Sequence, residues 1–440
     1  MLEIADRLEG AGYETWCVGG AVRDALLGKP HLDWDLATAA TPEEVRSIFG
    51  GRRTIPKGIK FGTVGVLDPS GRMHEVTTFR RDVRTDGRHA VVEFGASLDD
   101  DLARRDFTIN AIAYHPRRRT IRDPFGGRTD LERRVVRAVG DPHERMREDR
   151  LRALRAIRFA GRLGFAIDPQ TWEAVVASAE HLRRLSAERV REELEKTMDQ
   201  LVRPSAALAL WLESGAMRVL VPALGAVGDR TLAALDCVPP PAARAPGLAL
   251  RRRLARLAVL FSELDASAVG AALAALRFSR SETAVLTTTV DRLHRSAPDI
   301  ESALQRETAV DDAQVRRWVA NIGRLNVPLV MRVASARWAA RRAAGSEAPT
   351  APAVRALYRR LLRSGFRDAV ELADLAVDGD DLRRAGVAAG PLLGKILQAL
   401  LDRVIRDPSL NTPGWLVEEA KRLYGTATGG GGSPDTTRGR

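Results

Sequence analysis

The fold is decided by the stretch VGGAVRDALLG at Val18–Gly28 and by the tripeptide DWD that follows at Asp33–Asp35. Gly20 and the glycine before it let the backbone approach a phosphate closely, because no Cβ stands in the way. The next residues have the pattern of a short helix, whose first amide groups could donate hydrogen bonds to an anion. On this helix we expect the apolar side chains to face inward, and Arg23 and Asp24 to face outward.

The tripeptide places two aspartates on one predicted strand. Because side chains alternate along a strand, Asp33 and Asp35 would lie on the same face. Two carboxylates held side by side either share a proton or bind a hard divalent cation. Next to a phosphate-binding turn we favour the cation. Such pairs also occur at solvated strand ends, in sugar-nucleotide transferases and in aspartate-based phosphatases, so the pair alone does not define a reaction.

A second polar cluster, RRDFTINA, occupies Arg104–Ala111. Arg105 could bind a triphosphate, Asp106 could orient it or contact a sugar, and Asn110 could donate its amide to a ribose hydroxyl or a carboxylate. Taken alone, the segment also fits a salt-bridged helix start that is capped by Asp106. Its position after an Asp-x-Asp strand and three further predicted strands favours nucleotide binding.

A third cluster is the segment REDRLRALRAIRFAGRLGF at Arg147–Phe165, which has the apolar periodicity of a helix. Charged side chains recur at every third position of this helix, and they are Asp149, Arg152, Arg155 and Arg158. At this spacing they wind slowly around the helix surface. A solvated helix face mixes acids and bases along its length. One acid followed by several arginines therefore predicts an anionic ligand here.

The charge of the chain predicts a polyanionic partner. Its 440 residues carry a formal net charge of +12, and of the 69 basic residues six are lysine and 63 are arginine. Arginine binds phosphate through two parallel hydrogen bonds and stacks on bases, so nucleic acid is the simplest partner. A GC-rich genome would explain the choice of arginine over lysine, but it would not explain the net charge.

The remaining composition limits the cellular context. Cys17 and Cys237 lie far apart in the sequence, so we expect free thiols in a reducing compartment. The sequence shows neither a secretory leader nor an apolar run of transmembrane length, which predicts a cytoplasmic protein. Histidines with the spacing of a metal site are absent from the sequence, which argues against zinc.

The order of local signals predicts an α+β fold. Helices are expected at 2–10 and 41–49, and extended runs at 15–18, 62–67, 73–79 and 90–94. From about residue 143 strand signals vanish, and helical periodicity continues to residue 424. We therefore predict a small α/β head with a mixed sheet flanked by helices, followed by an all-helical neck, body and tail.

Together the three motifs resemble the DNA polymerase β-like nucleotidyltransferase superfamily, and in particular its class II branch of CCA-adding tRNA nucleotidyltransferases and bacterial poly(A) polymerases. The resemblance is specific over residues 16–200 and loose over 378–424. The domains that it implies are a catalytic nucleotidyltransferase head at 1–142, a neck with the nucleotide-selecting motif at 143–203, a body at 204–345, a tail that contacts tRNA at 346–425 and a disordered end at 426–440.

The resemblance also implies an activity, which is template-independent addition of C, C and A to the 3′ end of tRNA from CTP and ATP, with release of pyrophosphate. Asp33 and Asp35 would be catalytic and would bind Mg²⁺. The residues that would bind the nucleotide are Gly20, Arg23 and Arg105 at the triphosphate, Asp149 and Arg152 at the base edge, and Arg155 and Arg158 at phosphates or primer. A carboxylate and a guanidinium can accept both C and A, which share an exocyclic amino group that U and G lack at that edge.

Several features leave alternatives open. Glu75 could add a third carboxylate at the metal site or could be solvated. The segment Ser186–Lys196 resembles the neck helix of the family, and we assign it to scaffolding. The loop at 80–88 has Thr85 where most relatives have an aromatic residue, which keeps CC-adding and A-adding enzymes possible beside a poly(A) polymerase. The sequence does not predict the oligomeric state.

Overall fold

A computed structural model of the chain describes residues 1–29, 33–85, 90–240, 246–306 and 309–428. The chain divides into two compact units. The first comprises Met1–Ala226 with Ala275–Arg277, and the second comprises Val227–Ala274 with Phe278–Arg440. Within the ranges described, no helix is both long enough and apolar enough to span a bilayer. The predicted fold class, a mixed sheet in the head followed by helices, is confirmed.

The first unit contains all the described strands. They are β1 (Thr15–Val18), β2 (Asp35–Thr38), β3 (Thr54–Pro56), β4 (Thr63–Leu67), β5 (Met73–Thr78), β6 (Arg80–Thr85), β7 (Ala90–Phe94), β8 (Ala113–His115), β9 (Thr120–Arg122), β10 (Val135–Val136) and β11 (Ala166–Ile167). Seven of them form one sheet in the order β3-β4-β5-β2-β1-β8-β9. The sheet is mixed because β2 and β5 are parallel, whereas β1 pairs antiparallel with both of its neighbours.

Helices cover this sheet and extend the first unit beyond it. They are α1 (Leu2–Gly10), α2 (Gly20–Leu26), α3 (Pro42–Phe49), α4 (Leu98–Ala103), α5 (Gly127–Arg133), α6 (Pro142–Glu148), α7 (Leu151–Leu163), α8 (Pro169–Ser178), α9 (Ala187–Gln200), α10 (Pro204–Glu213) and α11 (Ala216–Leu220). The predicted start of α3 is confirmed: the Thr41 hydroxyl accepts a hydrogen bond from the Glu44 amide, and the Glu44 carboxylate accepts one from the Thr41 amide.

The second unit is helical over its described residues. Its helices are α12 (Asp229–Asp236), α13 (Pro246–Leu260), α14 (Ala266–Ala275), α15 (Arg280–Gln305), α16 (Asp312–Ile322), α17 (Val327–Ala343), α18 (Ala351–Arg367), α19 (Gly379–Arg384), α20 (Pro391–Arg406) and α21 (Pro413–Thr428). The last helix passes the predicted boundary at 425, because the Thr426 hydroxyl still bonds to the Arg422 carbonyl one turn earlier. Residues 429–440 lie outside the described ranges.

Two local expectations about strands are wrong. Asp33 precedes β2 and does not belong to it, because β1 ends at Val18, the partner of Asp35, and offers no ladder position further on. A strand also occurs after residue 143, since Gly164 ends α7 in a left-handed conformation and turns the chain back toward β10. The Ala166 amide then bonds to the Arg134 carbonyl.

The predicted boundary between neck and body at 203/204 falls inside the first unit. Gly161 on α7 packs closely against Leu201, which follows α9, and against α10, because a Cβ at this position would lie 2.7 Å from Leu201 and 3.2 Å from Ala207. This close contact holds α10 in the first unit, which continues to Ala226. Of the loop expected at 80–88, residues 80–85 form the strand β6, which pairs with β7, and residues 86–88 lie outside the described residues.

The close packing around Gly127 in the head predicts that a larger residue at this position lowers the stability of the protein. A Cβ at Gly127 would lie 2.2 Å from the Thr108 carbonyl oxygen and 2.8 Å from Ile112. We expect Gly127→Ala to destabilise the protein by about 1–3 kcal/mol, the usual range for overpacking, and to lower its melting temperature. Gly10→Ala is the control, because a Cβ there meets nothing within 4 Å. Equal melting temperatures for the two variants in calorimetry would contradict the contact.

Candidate active site

A cavity of about 580 Å³ lies in the first unit. It is lined by residues at the end of β1 and the start of β2, in the middle of the sheet, and by residues of α7 and α9. Nine of its lining residues are basic and three are acidic. They are Arg23, Arg104, Arg105, Arg152, Arg155, Arg158, Arg162, Arg189 and Lys196, with Asp35, Asp106 and Asp149. A concave surface with this excess of positive charge favours an anionic ligand.

The acidic corner of the cavity is centred on Asp35. Leu36 pairs with Val76 in the parallel ladder, so the residues before them, Asp35 and Glu75, lie side by side. Burial, then Glu75 and then Asp33 raise the pKa of Asp35 to about 6, and Arg105 opposes them. Asp33 is therefore electrostatically coupled to Asp35, although it does not line the cavity.

The donor set at this corner fits a magnesium ion. Mg²⁺ binds oxygen ligands and is usually held by one or two carboxylates together with substrate phosphates. The mutual repulsion that raises the pKa of Asp35 is the kind that a divalent cation offsets. Glu75 has a different partner, since its carboxylate lies 2.5 Å from Lys57 Nζ. Over the ranges described, no group of three or more metal-ligating side chains occurs, so Glu75 is not placed as a third ligand.

The predicted glycine turn has the geometry of a close approach. Gly19 has φ +77°, and a Cβ on it would lie 3.1 Å from Arg105 Nη1 and 3.9 Å from Asp35 Oδ2. Its backbone thus passes between the acidic corner and a cavity arginine. The helix that follows, α2, has only seven residues, so its dipole adds little to anion binding.

Arg23 and Asp24 are buried, contrary to the outward orientation expected from the sequence. Arg23 donates from Nε to Asp24 at 2.8 Å and from Nη1 to the Asn110 side chain at 2.7 Å. Arg162 approaches the other oxygen of Asp24 at 3.3 Å. Burial lowers the pKa of Arg23, and Asp24 opposes that effect. The pair faces inward because each charge compensates the other, which pattern analysis of α2 alone could not show.

Asp101 fixes the orientation of the Arg105 side chain. This carboxylate is fully buried and accepts hydrogen bonds from Arg104 at 2.6 Å and from Arg105 at 3.1 Å. Burial alone would raise the pKa of Asp101, but the two arginines outweigh burial and hold the pKa below its ordinary value. Arg105 Nε remains without a hydrogen-bond partner among the described residues. Arg105 nevertheless lines the cavity, so its guanidinium can face a ligand there.

Asp106 connects the head to α7. It accepts a hydrogen bond from the Asn110 amide at 2.9 Å and from Arg155 Nε at 2.9 Å. Burial would raise the pKa of Asp106, but Arg155 and Asn110 outweigh it and lower the pKa. The sequence predicts that Asp106 orients a triphosphate or contacts a sugar, and in the structure Asp106 lines the cavity and pairs with an arginine 49 positions later.

Asp149 and Arg152 lie together at the far end of the cavity. One oxygen of Asp149 accepts the Leu151 amide at 3.0 Å, and the other accepts Arg189 Nη2 at 2.7 Å. Arg152 donates to Glu148 at 2.6 Å and to the Arg104 carbonyl at 2.9 Å. Both side chains are thus fixed before any ligand binds, which is the requirement for reading a base edge.

The guanidinium of Arg158 contacts a carboxylate of the protein, whereas the sequence predicted contact with phosphates or primer. Arg158 is buried and donates to Glu193 on α9 at 2.6 Å, and Glu193 is itself fully buried. It therefore ties α7 to α9 at the cavity wall. Arg155 is likewise paired, with Asp106. A phosphate-binding role for these two arginines remains a prediction.

Eight of the nine predicted site residues line this one cavity, and Asp33 is coupled to it through Asp35. The α9 contribution was missed, since Ser186–Lys196 was assigned to scaffolding. Three polar residues of α9 line this cavity, Arg189, Lys196 and Gln200, and Glu193, which pairs with Arg158, lies between them, so that the four follow at spacings of four, three and four. That spacing marks one helix face and was the available signal.

Two family models match the chain. One, described as "Poly A polymerase head domain", covers residues 15–137, and the other, described as "Probable RNA and SrmB- binding site of polymerase A", covers residues 164–227. The first of these includes the acidic corner and the second includes α9 with its cavity face.

Named relatives are CCA-adding enzymes. The chain is 48% identical over 211 residues to that of Geobacillus stearothermophilus, which is 48% of this chain and 50% of the relative. It is 46% identical over 232 residues to that of Geobacillus thermodenitrificans, covering 52% and 55%. These alignments span about half the length of the curated relatives.

A solved structure extends the likeness over the full length. It is the Bacillus stearothermophilus CCA-adding enzyme in complex with CTP, which matches with a TM-score of 0.74 and 33% identity. The match covers 96% of this chain and 97% of that one. The chain therefore belongs to the class II family of CCA-adding enzymes and bacterial poly(A) polymerases.

Proposed function

We propose that the protein adds C, C and A to the 3′ end of tRNA from CTP and ATP, without a nucleic-acid template. The observation that carries this proposal is one cavity that joins an acidic corner at Asp35 to a fixed carboxylate–guanidinium pair at Asp149 and Arg152. In support, a structural relative with 33% identity was solved in complex with CTP. As part of the same proposal, the protein acts in the cytoplasm, where tRNA is processed.

In the proposed reaction the 3′ oxygen of the tRNA attacks the α-phosphorus of the nucleotide, and pyrophosphate leaves. Asp33 and Asp35 would hold Mg²⁺, which when bound lowers the pKa of the attacking hydroxyl and neutralises charge on the leaving group. Arg105, kept in place by Asp101, would bind the triphosphate. Arg23 would support this end of the site indirectly, because its guanidinium is committed to Asp24 and Asn110.

Base selection would take place at Asp149 and Arg152. The carboxylate would accept the exocyclic amino proton of C or A, and the guanidinium would donate to a ring nitrogen or carbonyl. Each side chain is already oriented, Asp149 by Arg189 and Arg152 by Glu148. A fixed pair can reject a base with the opposite donor pattern, because rearranging it would break these ion pairs.

The substrate is tested by supplying tRNA that lacks its terminal residues with each labelled nucleoside triphosphate in turn. The proposal predicts two cytidines and then one adenosine on the same molecule. A long adenosine product would instead identify a poly(A) polymerase. Products that stop after two cytidines, or that need a preformed CC end, would identify the specialised CC-adding or A-adding enzymes.

Removal of the central carboxylate tests the catalytic assignment. We expect Asp35→Ala to reduce kcat more than about 100-fold, since loss even of a group that only orients a metal ligand costs about 10–100-fold. Affinity for tRNA, measured by fluorescence anisotropy, should remain within about twofold. Glu132→Ala removes an exposed carboxylate on α5, outside the cavity, and should leave both values unchanged. Full activity of Asp35→Ala would contradict the proposed mechanism.

The Arg189–Asp149 ion pair predicts a positioning residue for base selection. We expect Arg189→Gln to lower kcat/KM for CTP and ATP by roughly 10–100-fold and to reduce discrimination against UTP and GTP, because Asp149 loses the donor that fixes it. Arg189→Lys should restore part of the discrimination.

Arg191→Gln is the matched control on the same helix. Arg191 donates to the Arg277 carbonyl and does not line the cavity. It should therefore retain the discrimination of the unsubstituted protein. If Arg189→Gln loses rate equally for all four nucleotides, its role is general scaffolding and the positioning assignment is wrong.

A further inference from the structure

Another cavity, of about 350 Å³, lies within the second unit. Its walls are residues of α17 and α18 together with Cys237 and Pro239, which follow α12. It shares no lining residue with the candidate active site. Small-molecule sites in proteins have volumes from about 300 Å³ upward, so this cavity has room for a small organic ligand.

The walls of this cavity are mostly apolar. On α17, Ala336 and Ala339 lie on the same face of the helix, and their small side chains leave room beside α18. On α18, Val354 and Tyr358 are four positions apart and line the cavity together. Met331 adds a further apolar side chain. Such walls favour the apolar body of a ligand over water.

The charged residues of this cavity are of one sign. Among the described residues, three arginines and no aspartate or glutamate line it. Arg342 is half-buried and donates a hydrogen bond to the Pro349 carbonyl. Arg332 is half-buried and Arg355 is exposed, and neither forms a hydrogen bond or an ion pair with another described residue. Two guanidinium groups thus lie beside an apolar cavity without a counter-charge from the described chain.

The arginines of the candidate active site differ in this respect. Each arginine in the wall of that site forms an ion pair with a carboxylate of the protein. At Arg332 and Arg355 an anionic group from outside the chain could take the place of such a carboxylate, because a guanidinium binds carboxylate and related anions through two parallel hydrogen bonds.

We propose that this cavity binds a small organic monoanion, with its apolar body against Ala339 and Tyr358 and its anionic group on Arg332 and Arg355. Inorganic phosphate would pair with the arginines but leave the apolar walls in water. An uncharged apolar molecule would cover the walls but leave the arginines unpaired. A ligand with both parts meets both features of the cavity. The site lies outside the candidate active site, so the inference does not depend on nucleotide addition.

The test begins with two fluorescent probes that are titrated into the full chain. Anilinonaphthalenesulfonate is an aromatic monoanion, and phenylnaphthylamine has the same rings without the sulfonate. The double variant Arg332→Gln, Arg355→Gln should bind the sulfonate at least about tenfold more weakly, because a hydrogen bond to a charged group contributes about that factor. Its affinity for the uncharged probe should not change. Arg359→Gln is the matched control, since Arg359 is exposed on α18 and does not line the cavity.

Filling the cavity tests its location. Ala339→Leu places a larger side chain in the space that the ligand would occupy, so both probes should lose binding. Ala343→Leu is the control, because Ala343 is exposed at the end of the same helix and does not line the cavity. Calorimetry of both variants shows whether the fold is retained.

Cys237 gives a second measure of occupancy in the unsubstituted protein. It lines the cavity and is half-buried, whereas Cys17 is fully buried. Octanoate, a monoanion with a short apolar chain, should slow the alkylation of Cys237 by N-ethylmaleimide severalfold, as followed by peptide mass spectrometry. Octanol and inorganic phosphate at the same concentration should protect Cys237 much less. Burial and Asp236 raise the pKa of the Cys237 thiol, so all rates are compared at one pH.

Each part of the inference has an outcome that overturns it. If Ala339→Leu binds both probes unchanged, they bind elsewhere and the site is wrong. If the double arginine variant loses both probes equally, or if octanol protects Cys237 as well as octanoate does, the cavity does not select an anion. If Ala339→Leu does not fold, failure of octanoate to protect Cys237 in the unsubstituted protein overturns the site.

Discussion

The ion pair between Asp106 and Arg155 is the contact on which the site depends. Asp106 follows α4 and holds Asn110, which in turn accepts from Arg23, while Arg155 belongs to α7. The acidic corner and the end of the cavity at Asp149 are therefore joined through one buried carboxylate. The proposed function, in which a metal site and a base-reading pair would act on the same nucleotide, would need such a fixed connection.

The same device is repeated around the cavity. Each arginine in its wall forms an ion pair with a carboxylate, and the carboxylates that do this are Asp24, Asp101, Asp106, Glu148, Asp149 and Glu193. A buried ion pair contributes little net stability, because desolvation offsets the attraction. Its value here is geometric: donors that are fixed before the ligand binds need no reorganisation when charge develops on a phosphate.

The sequence predicted the head well, because its elements are specified locally. Thr41 and Glu44 form their capping box, and eight of the nine predicted site residues, all except Asp33, meet in one cavity. It failed where a long-range partner decides. Arg23 is buried because Asp24 and Asn110 compensate it, and Asp33 leaves the strand because β1 ends opposite Asp35. The α9 face was missed because only the fold brings it opposite Asp149.

Net charge alone could not assign these arginines to different tasks. The value of +12 counts the arginines of α7 and those of α18 alike, yet Arg155 and Arg158 of α7 form ion pairs with carboxylates of their own unit, whereas Arg355, Arg359 and Arg367 of α18 are exposed and form no ion pair among the described residues. Charge that is compensated internally fixes geometry. Charge that is left uncompensated on a surface acts on whatever approaches it, and its effect falls with salt. Arginines that are fixed in the cavity wall and arginines that stay unpaired on the surface are therefore distinguished by their partners, which only the folded chain reveals.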